Sequence, residues 1–361
     1  HDTANAMATT IATGALRPRI AVTIAALLNF VGALISLKVA ATIAGGIVDA
    51  AAITPAVIFG GLGAAIAWNL ATWWLGLPSS SSHALIGGLV GSTFAAAGSG
   101  AIELDGIVPK VVVPAVASPV VAGLIAAIGV FLVYRLIRGH APARSEREFR
   151  WAQVASSSMV ALAHGTNDAQ KTMGVISLAL IANGTIAGGA VFSVPAWVVL
   201  ACATAIALGT YAGGWRIIQT LGTKVVEVRP PQGFGSEAVA ATVILASSHV
   251  GYPLSTTQVV SGAVSGSGVG RPGARVDWRV ARRIVCGWLL TLPAAAAVGA
   301  LVFEVIDLLG GDVVGVAAVA AIGVIGANVL WHANRAKAVA PHETVSENPA
   351  FGRAAPLEAP A

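Results

Sequence analysis

Charge is what this sequence has least of. Only 10% of its 361 residues are Asp, Glu, Lys or Arg, while 56% are hydrophobic and the mean hydropathy is +0.81. A soluble domain carries about a quarter of its residues as charges, so the scarcity excludes a water-soluble globule and makes lipid the solvent for most of the chain. The formal net charge of +5 does not point to nucleic acid, because the basic residues lie in short clusters between apolar spans, as cytosolic loops of membrane proteins do. Cysteine is nearly absent as well. Cys202 and Cys286 lie far apart in apolar spans with no metal-ligand spacing or disulfide framework, and read as inert packing residues. No initiating Met precedes His1-Asp2, which points to a missing upstream segment and leaves a signal peptide unjudged.

A spanning helix needs about 20 mostly apolar residues. Stretches of that kind run over residues 20–44, 53–77, 107–137, 192–215, 279–303 and 313–333, which predicts six full spans. Apolar pieces at 3–15, 83–98, 151–163, 169–182, 236–250 and 256–268 are too short or too interrupted to cross, and read as half-helices or broken helices. Non-helical backbone survives at membrane depth only where protein or a polar cavity satisfies it, so the breaks point to a site. The expected fold class is an all-α polytopic membrane protein. Residues 138–150, with Arg138, Arg144, Arg147 and Arg150 among Glu146 and Glu148, read as a basic, solvated cytoplasmic loop, and residues 336–361 as a disordered cytoplasmic tail.

The chain repeats itself. His1-Asp2-Thr3-Ala4-Asn5-Ala6-Met7 aligns with Asn167-Asp168-Ala169-Gln170-Lys171-Thr172-Met173. Pro78-Ser79-Ser80-Ser81-Ser82-His83, followed by Gly87 and Gly91, aligns with Pro253-Leu254-Ser255-Thr256-Thr257-Gln258, followed by Gly262 and Gly266. The two motif pairs recur at offsets of 166 (Asp2 to Asp168) and 175 residues (Pro78 to Pro253), so both belong to one duplication.

Lys and Arg favour cytosolic loops. Arg17/Arg19, the cluster from Arg135 to Arg150, Arg216/Lys224/Arg229, Arg271 to Arg283 and Arg335/Lys337 are therefore placed inside, and the turns near 45–52, 99–107, 182–190 and 304–312, which hold no Lys or Arg, outside. Corresponding turns of the two copies then fall on opposite sides: the copies are inverted. The expected division is a first inverted repeat at 1–137, truncated at its N-terminus, the loop 138–150, a second repeat at 151–335 and the tail 336–361. Inverted repeats whose broken helices meet near the midplane are a known arrangement of secondary transporters.

A carboxylate in the membrane costs a few kcal/mol and needs compensation or a task. With side-chain oxygens from Asn5 and Asn167 and the carbonyls of broken helices, Asp2 and Asp168 suit a hard cation such as Na⁺, or one of them a proton; the plainer reading is that each Asp caps a helix start. The runs Ser80-Ser81-Ser82 and Ser255-Thr256-Thr257, each after a Pro at a helix start, offer hydroxyl and backbone N–H donors to an oxyanion without fixing a permanent cation, where the bland account is bonding to i−4 carbonyls. For Gly87, Gly91, Gly262 and Gly266 close helix packing is explanation enough. Lys171 could neutralise Asp168 or attract the anion. His1, His83, His164 and His249 border the motifs and could relay protons, although a hydrogen-bonded polar filler accounts for any one of them equally well. Lys38, inside an apolar span, is placed to snorkel.

Ser80 to His83 as nucleophile and base of an intramembrane hydrolase is disfavoured: adjacent positions point to different faces, and an inverted duplicate has no use in one-sided hydrolysis. A channel with a midplane anion site would carry the same motifs.

At His1-Asp2-Thr3-Ala4-Asn5-Ala6 and His164-Gly165-Thr166-Asn167-Asp168-Ala169-Gln170-Lys171-Thr172-Met173-Gly174 the chain resembles the inorganic phosphate transporter (PiT) family, and the likeness extends over nearly its whole length. The resemblance implies symport of inorganic phosphate with Na⁺ or H⁺ in a cell membrane, no enzymatic activity and no cofactor. Carried over by motif, Asp2, Asn5, Asn167 and Asp168 would coordinate the coupling cation, and Ser80, Ser81, Ser82, Ser255, Thr256 and Thr257 would contact phosphate and cation. The family signature often reads Asn-Asp where this chain has His1-Asp2, and a second Asn where it has Lys171. That version is similar to the bacterial low-affinity branch, which implies protons as the coupling ion and metal-phosphate complexes as substrates; sulfate or another oxyanion is the alternative cargo. A homodimer belongs to the same resemblance, without independent support from the residues. The family's first signature follows a membrane segment that does not precede His1 here, so the first half of the site is expected to be distorted.

Overall fold

The computed structural model describes residues 2–139, 142–188, 192–311, 313–335 and 339–345. His1 lies outside these, as do residues 336–338 and 346–361 of the tail. Among the described residues the regular structure is helical, with only two isolated bridges, Val48 with Ile102 and Val226 with Val276, at corresponding places in the two halves.

The first half holds α1 (Asp2–Ala12), α2 (Pro18–Ala33), α3 (Lys38–Gly46), α4 (Pro55–Leu75), α5 (Ser81–Ala97), α6 (Leu104–Ile107) and α7 (Val113–Leu136). The second holds α8 (Pro142–Ala182), α9 (Ala196–Ala212), α10 (Trp215–Gln219), α11 (Pro230–Val250), α12 (Thr256–Gly270), α13 (Trp278–Leu308) and α14 (Val313–Arg335). Among the described residues three stretches are long and apolar enough to cross a membrane unbroken, Pro55–Leu75, Leu104–Leu136 and Trp278–Leu308, close to the predicted 53–77, 107–137 and 279–303; α14 takes the place of 313–333.

The other two predicted full spans are broken. Residues 20–44 form α2 and α3, bent by 67°, and 192–215 fall in α9 and the helix Trp215–Lys224, bent by 66°. Hydropathy averages across such bends and does not register them. The freed backbone groups find partners in the signature helices: Gln170 Oε1 accepts the N–H groups of Val39 (2.8 Å) and Ala40 (3.3 Å) at the start of α3, and Thr3 Oγ1 donates to the Thr210 carbonyl (3.0 Å) near the end of α9.

The converse error occurs in α8. Residues 151–163 and 169–182, expected as separate pieces, join residues 142–150, expected as a loop, in one helix of 41 residues. Gln153, Ser156, His164, Asn167, Gln170 and Lys171 are all buried, so the polarity that interrupts the apolar pattern faces protein rather than breaking the helix. Upstream, a Pro start followed by Ala, Arg and Glu is a good helix sequence. Part of the tail is also not disordered: Pro341–Thr344 form a 3₁₀ turn, Thr344 is buried, and Gln219 Nε2 donates to the Glu343 carbonyl (3.4 Å).

Helices α4 and α11 each have 21 residues and each end at a left-handed glycine, Gly76 (φ 65°) or Gly251 (φ 83°), a conformation glycine adopts at little cost. The chain then turns through Pro78 or Pro253 into α5 or α12, capped by Ser80, which accepts the His83 N–H (3.1 Å), and by Ser255, which accepts that of Gln258 (3.4 Å). The halves interlock, with α5 packed on α13 and α12 on α7. A Cβ on Gly91 would lie 1.8 Å from the Ala296 carbonyl oxygen, and one on Gly266 2.0 Å from that of Gly123, so these glycines serve close approach, as expected. The inverted copies thus bring the N-termini of α5 and α12 to a common centre.

Candidate functional site

Both halves contribute to that centre in matching ways. Asp2, at the start of α1, accepts from the Ser81 hydroxyl (3.1 and 3.3 Å) and from the Asn5 amide one turn on (3.2 Å). Asn5 also donates across to α12, to Thr257 Oγ1 (2.9 Å) and Thr256 Oγ1 (3.4 Å). From α8, Asp168 accepts from the Thr256 hydroxyl (2.9 Å), and the Lys171 ammonium, again one turn on, bonds to Asp168, to the Ser82 hydroxyl across in α5 and to the Leu254 carbonyl. Asp2–Asn5 and Asp168–Lys171 are therefore the same i,i+3 pair in two copies, each reaching into the serine motif of the other half. The first half-site is assembled rather than distorted.

His164 lies between the carboxylates. Its Nε2 is 2.9 Å from Asp168 Oδ2 and 3.9 Å from Asp2 Oδ1, while Nδ1 faces Asn29 Oδ1 at 2.7 Å. Asn29 donates its own amide to Thr210 Oγ1 (3.2 Å), which leaves its oxygen to accept a proton from Nδ1. Nε2 is then compatible with two carboxylates only when it too carries a proton, or when a cation lies between them. One ligand atom from each of Asp2, His164 and Asp168 lies within 4.8 Å of the others. Two unit negative charges at about 5 Å repel by roughly 3 kcal/mol at an effective dielectric of about 20, so an oxyanion is admitted only once the carboxylates are compensated.

A cavity of about 450 Å³ reaches this centre, with Asp2, Ser81, Asp168 and Lys171 at the site and Leu62, Ile66, Ile176 and Cys202 along its walls. Some predicted site residues do other work. Ser80 and Ser255 use their hydroxyls as helix caps. Asn167 turns away to donate to Ser248 Oγ (2.8 Å), Ser247 Oγ (3.5 Å) and the Tyr252 carbonyl (3.2 Å), tying α8 to the end of α11. Asp168 lies deep within α8 and caps nothing. Ser80 meets the backbone N–H of His83, not its ring, so the pair is a cap and not a nucleophile with its base. His83 instead lines an apolar groove beside Gln258, His249 is exposed, and Lys38 is exposed at the start of α3.

Two features escape sequence reasoning. The first is the central place of His164, which the motif alone ranks with three other histidines. The second is Glu237, buried at 3% exposure on α11. Its carboxylate accepts from Thr10 Oγ1 (2.7 Å), Ser156 Oγ (2.7 Å), Gln153 Nε2 (3.3 Å) and Thr9 Oγ1, with no ion pair among the described residues. The signal was a lone carboxylate in the apolar stretch 236–250, which by the cost of membrane charge is a functional candidate by default.

Comparison with known proteins agrees with this geometry. Residues 1–299 match the Phosphate transporter family. A Mycobacterium bovis protein named "Probable low-affinity inorganic phosphate transporter" is 57% identical over 311 residues, covering 86% of this chain and 74% of that relative. A Bacillus subtilis protein of the same name is 40% identical over 311 residues, covering 86% of this chain and 92% of its own. A solved structure, "The sodium-dependent phosphate transporter", superimposes with a TM-score of 0.74 at 28% identity, over 85% of this chain and 94% of the other. These relatives are transporters and not enzymes, and the chain, a multi-pass helical membrane protein, belongs to the phosphate transporter family.

Proposed function

We propose that the protein imports inorganic phosphate by symport with a proton, the anion bound between the starts of α5 and α12. Ser81, Ser82, Thr256 and Thr257 supply hydroxyl donors there, the first turns of both helices supply free N–H groups, and Lys171 supplies positive charge. Asp2, Asn5 and Asp168 hold the coupling cation, with Asn167 bracing α8. The observation that carries the reading is His164 with a nitrogen 2.9 Å from one buried carboxylate and 3.9 Å from the other, an arrangement in which one proton makes the site fit for an anion. The sodium-dependent transporter shares the fold, but at 28% identity its ion does not carry over to this chain. The cavity walls lie between the carboxylates and the turns that lack Lys and Arg, so the site in this state faces outward. The two repeats, 1–137 and 151–335, would exchange its exposure.

A second reading follows from the three ligand atoms within 4.8 Å: a divalent metal entering with the phosphate would find Asp2, His164 and Asp168 as ligands.

Uptake of radiolabelled phosphate into proteoliposomes tests both. Accumulation driven by a proton gradient, lost in Asp168→Asn, is the expected result. Accumulation driven only by Na⁺ overturns the proton assignment, loss of uptake on chelating divalent metals selects the metal-phosphate form, and competent sulfate uptake without phosphate uptake sinks the substrate.

A further inference from the structure

The two signatures align with Asp and Met in register, and among the positions where they differ is the residue one turn after the aspartate: Asn5 in the first, Lys171 in the second. Lys171 is 2% exposed, and its ammonium takes one carboxylate oxygen (Asp168), one hydroxyl (Ser82) and one backbone carbonyl (Leu254). Carboxylate, hydroxyl and carbonyl oxygens are the ligand types hard cations take. In the first half the corresponding nitrogen belongs to a neutral amide, and Asn5, also 2% exposed, keeps a side-chain oxygen with no hydrogen-bond partner among the described residues. Asn167 keeps a similar oxygen next to Asp168, but there the ammonium already stands at the carboxylate; beside Asp2 the unpartnered acceptor is open to a free cation.

We propose that the Lys171 ammonium is a tethered cation that permanently fills the coupling-ion position of the second half, so that only the Asp2 half takes up a free coupling cation in each cycle. The inference rests on the symport reading above. Each carboxylate must be compensated before an oxyanion can enter. Lys171 does this for Asp168 at all times. Asp2 takes hydrogen bonds from the neutral donors Ser81 and Asn5 and faces His164 Nε2 at 3.9 Å, with no fixed cation beside it, so it depends on a cation from solution, whether that is a proton shared with His164 or a metal ion. Coupling is thereby obligatory but uses one cation fewer than a site with Asn at both positions.

The test compares the full-length wild-type protein with Lys171→Asn, which copies the first half-site, and Lys171→Gln. Phosphate affinity of the purified proteins is measured across a Na⁺ series, with choline keeping ionic strength constant, together with melting temperature over the same series. By linkage, the slope of log affinity against log Na⁺ concentration should be greater by about one in Lys171→Asn than in wild type, and its phosphate affinity in choline weaker than in Na⁺ by at least about tenfold. Na⁺ should also raise its melting temperature more than that of wild type, and Lys171→Arg, which keeps a fixed charge, should keep the wild-type slope. Folded Asn and Gln variants with the wild-type slope and the wild-type melting response overturn the proposal. If a variant no longer binds phosphate, the melting response alone decides. Failure of the wild type to accumulate phosphate would instead sink the symport reading, while the Na⁺ response of the melting temperature still reports on the ammonium.

Discussion

Helices α4 and α11 are one helix twice over, yet they build unlike walls beside the same site. Where α11 has Glu237, α4 has Leu62, and where α1 has Thr9 and Thr10, α8 has Val175 and Ile176. On one side Leu62 and Ile176 border an open cavity of about 450 Å³. On the other, Glu237 is drawn into bonds with Thr9, Thr10, Gln153 and Ser156, and the helices are shut together. Apolar walls close by packing and part at little cost in specific bonds. A carboxylate latched by hydroxyls closes directionally and opens only when water or a cation replaces those bonds. The inverted copies therefore need not make equal barriers.

Breaking the latch should have the largest effect. Glu237→Ala leaves buried donors without their acceptor, at about 1–3 kcal/mol for each group left unsatisfied. Phosphate uptake should fall by at least about tenfold, the rate equivalent of about 1.4 kcal/mol. A Thr10→Cys probe in that background should react with a thiol reagent added from the side opposite the cavity, read in vesicles of both orientations. Unchanged labelling would mean that the cluster closes nothing.

The shared scaffold is sharpened by glycine substitutions. Gly91→Ala forces a Cβ against the Ala296 carbonyl and should destabilise the protein by about 1–3 kcal/mol, seen as a lower melting temperature in detergent. Gly129→Ala on α7, where nothing lies within 4 Å, is the matched control and should melt like wild type. The smallest effect is expected at Cys202, on the cavity wall: Cys202→Ala should transport normally but lose inhibition by a thiol reagent added from the cavity side. Persistent inhibition through Cys286 would place the open wall elsewhere.

Much of this was legible beforehand, for identifiable reasons. The duplicated Asp and serine motifs announced the centre because a membrane tolerates neither carboxylates nor breaks without a partner. The expected sidedness of the copies rests on Arg and Lys alone. The bends at 34–37 and 213–214 were not legible, since the groups that satisfy them, Gln170 and Thr3, lie far away in sequence. Asn167 was assigned to the cation by its side-chain oxygen and by the motif; its amide nitrogen is spent on Ser248, while its oxygen, like that of Asn5, has no hydrogen-bond partner among the described residues. Helix geometry works in favour of His164, Asp168 and Lys171: spacings of four and three place them on one face.

That shared face sits on the longest helix of the molecule. Forty-one residues extend about 60 Å, twice the roughly 30 Å hydrocarbon thickness, without a break. The middle of this rod carries the imidazole, the carboxylate and the ammonium. A small tilt of the rod would carry all three together past Asp2 and Ser82, keeping their mutual spacing and changing only what they touch in the other half.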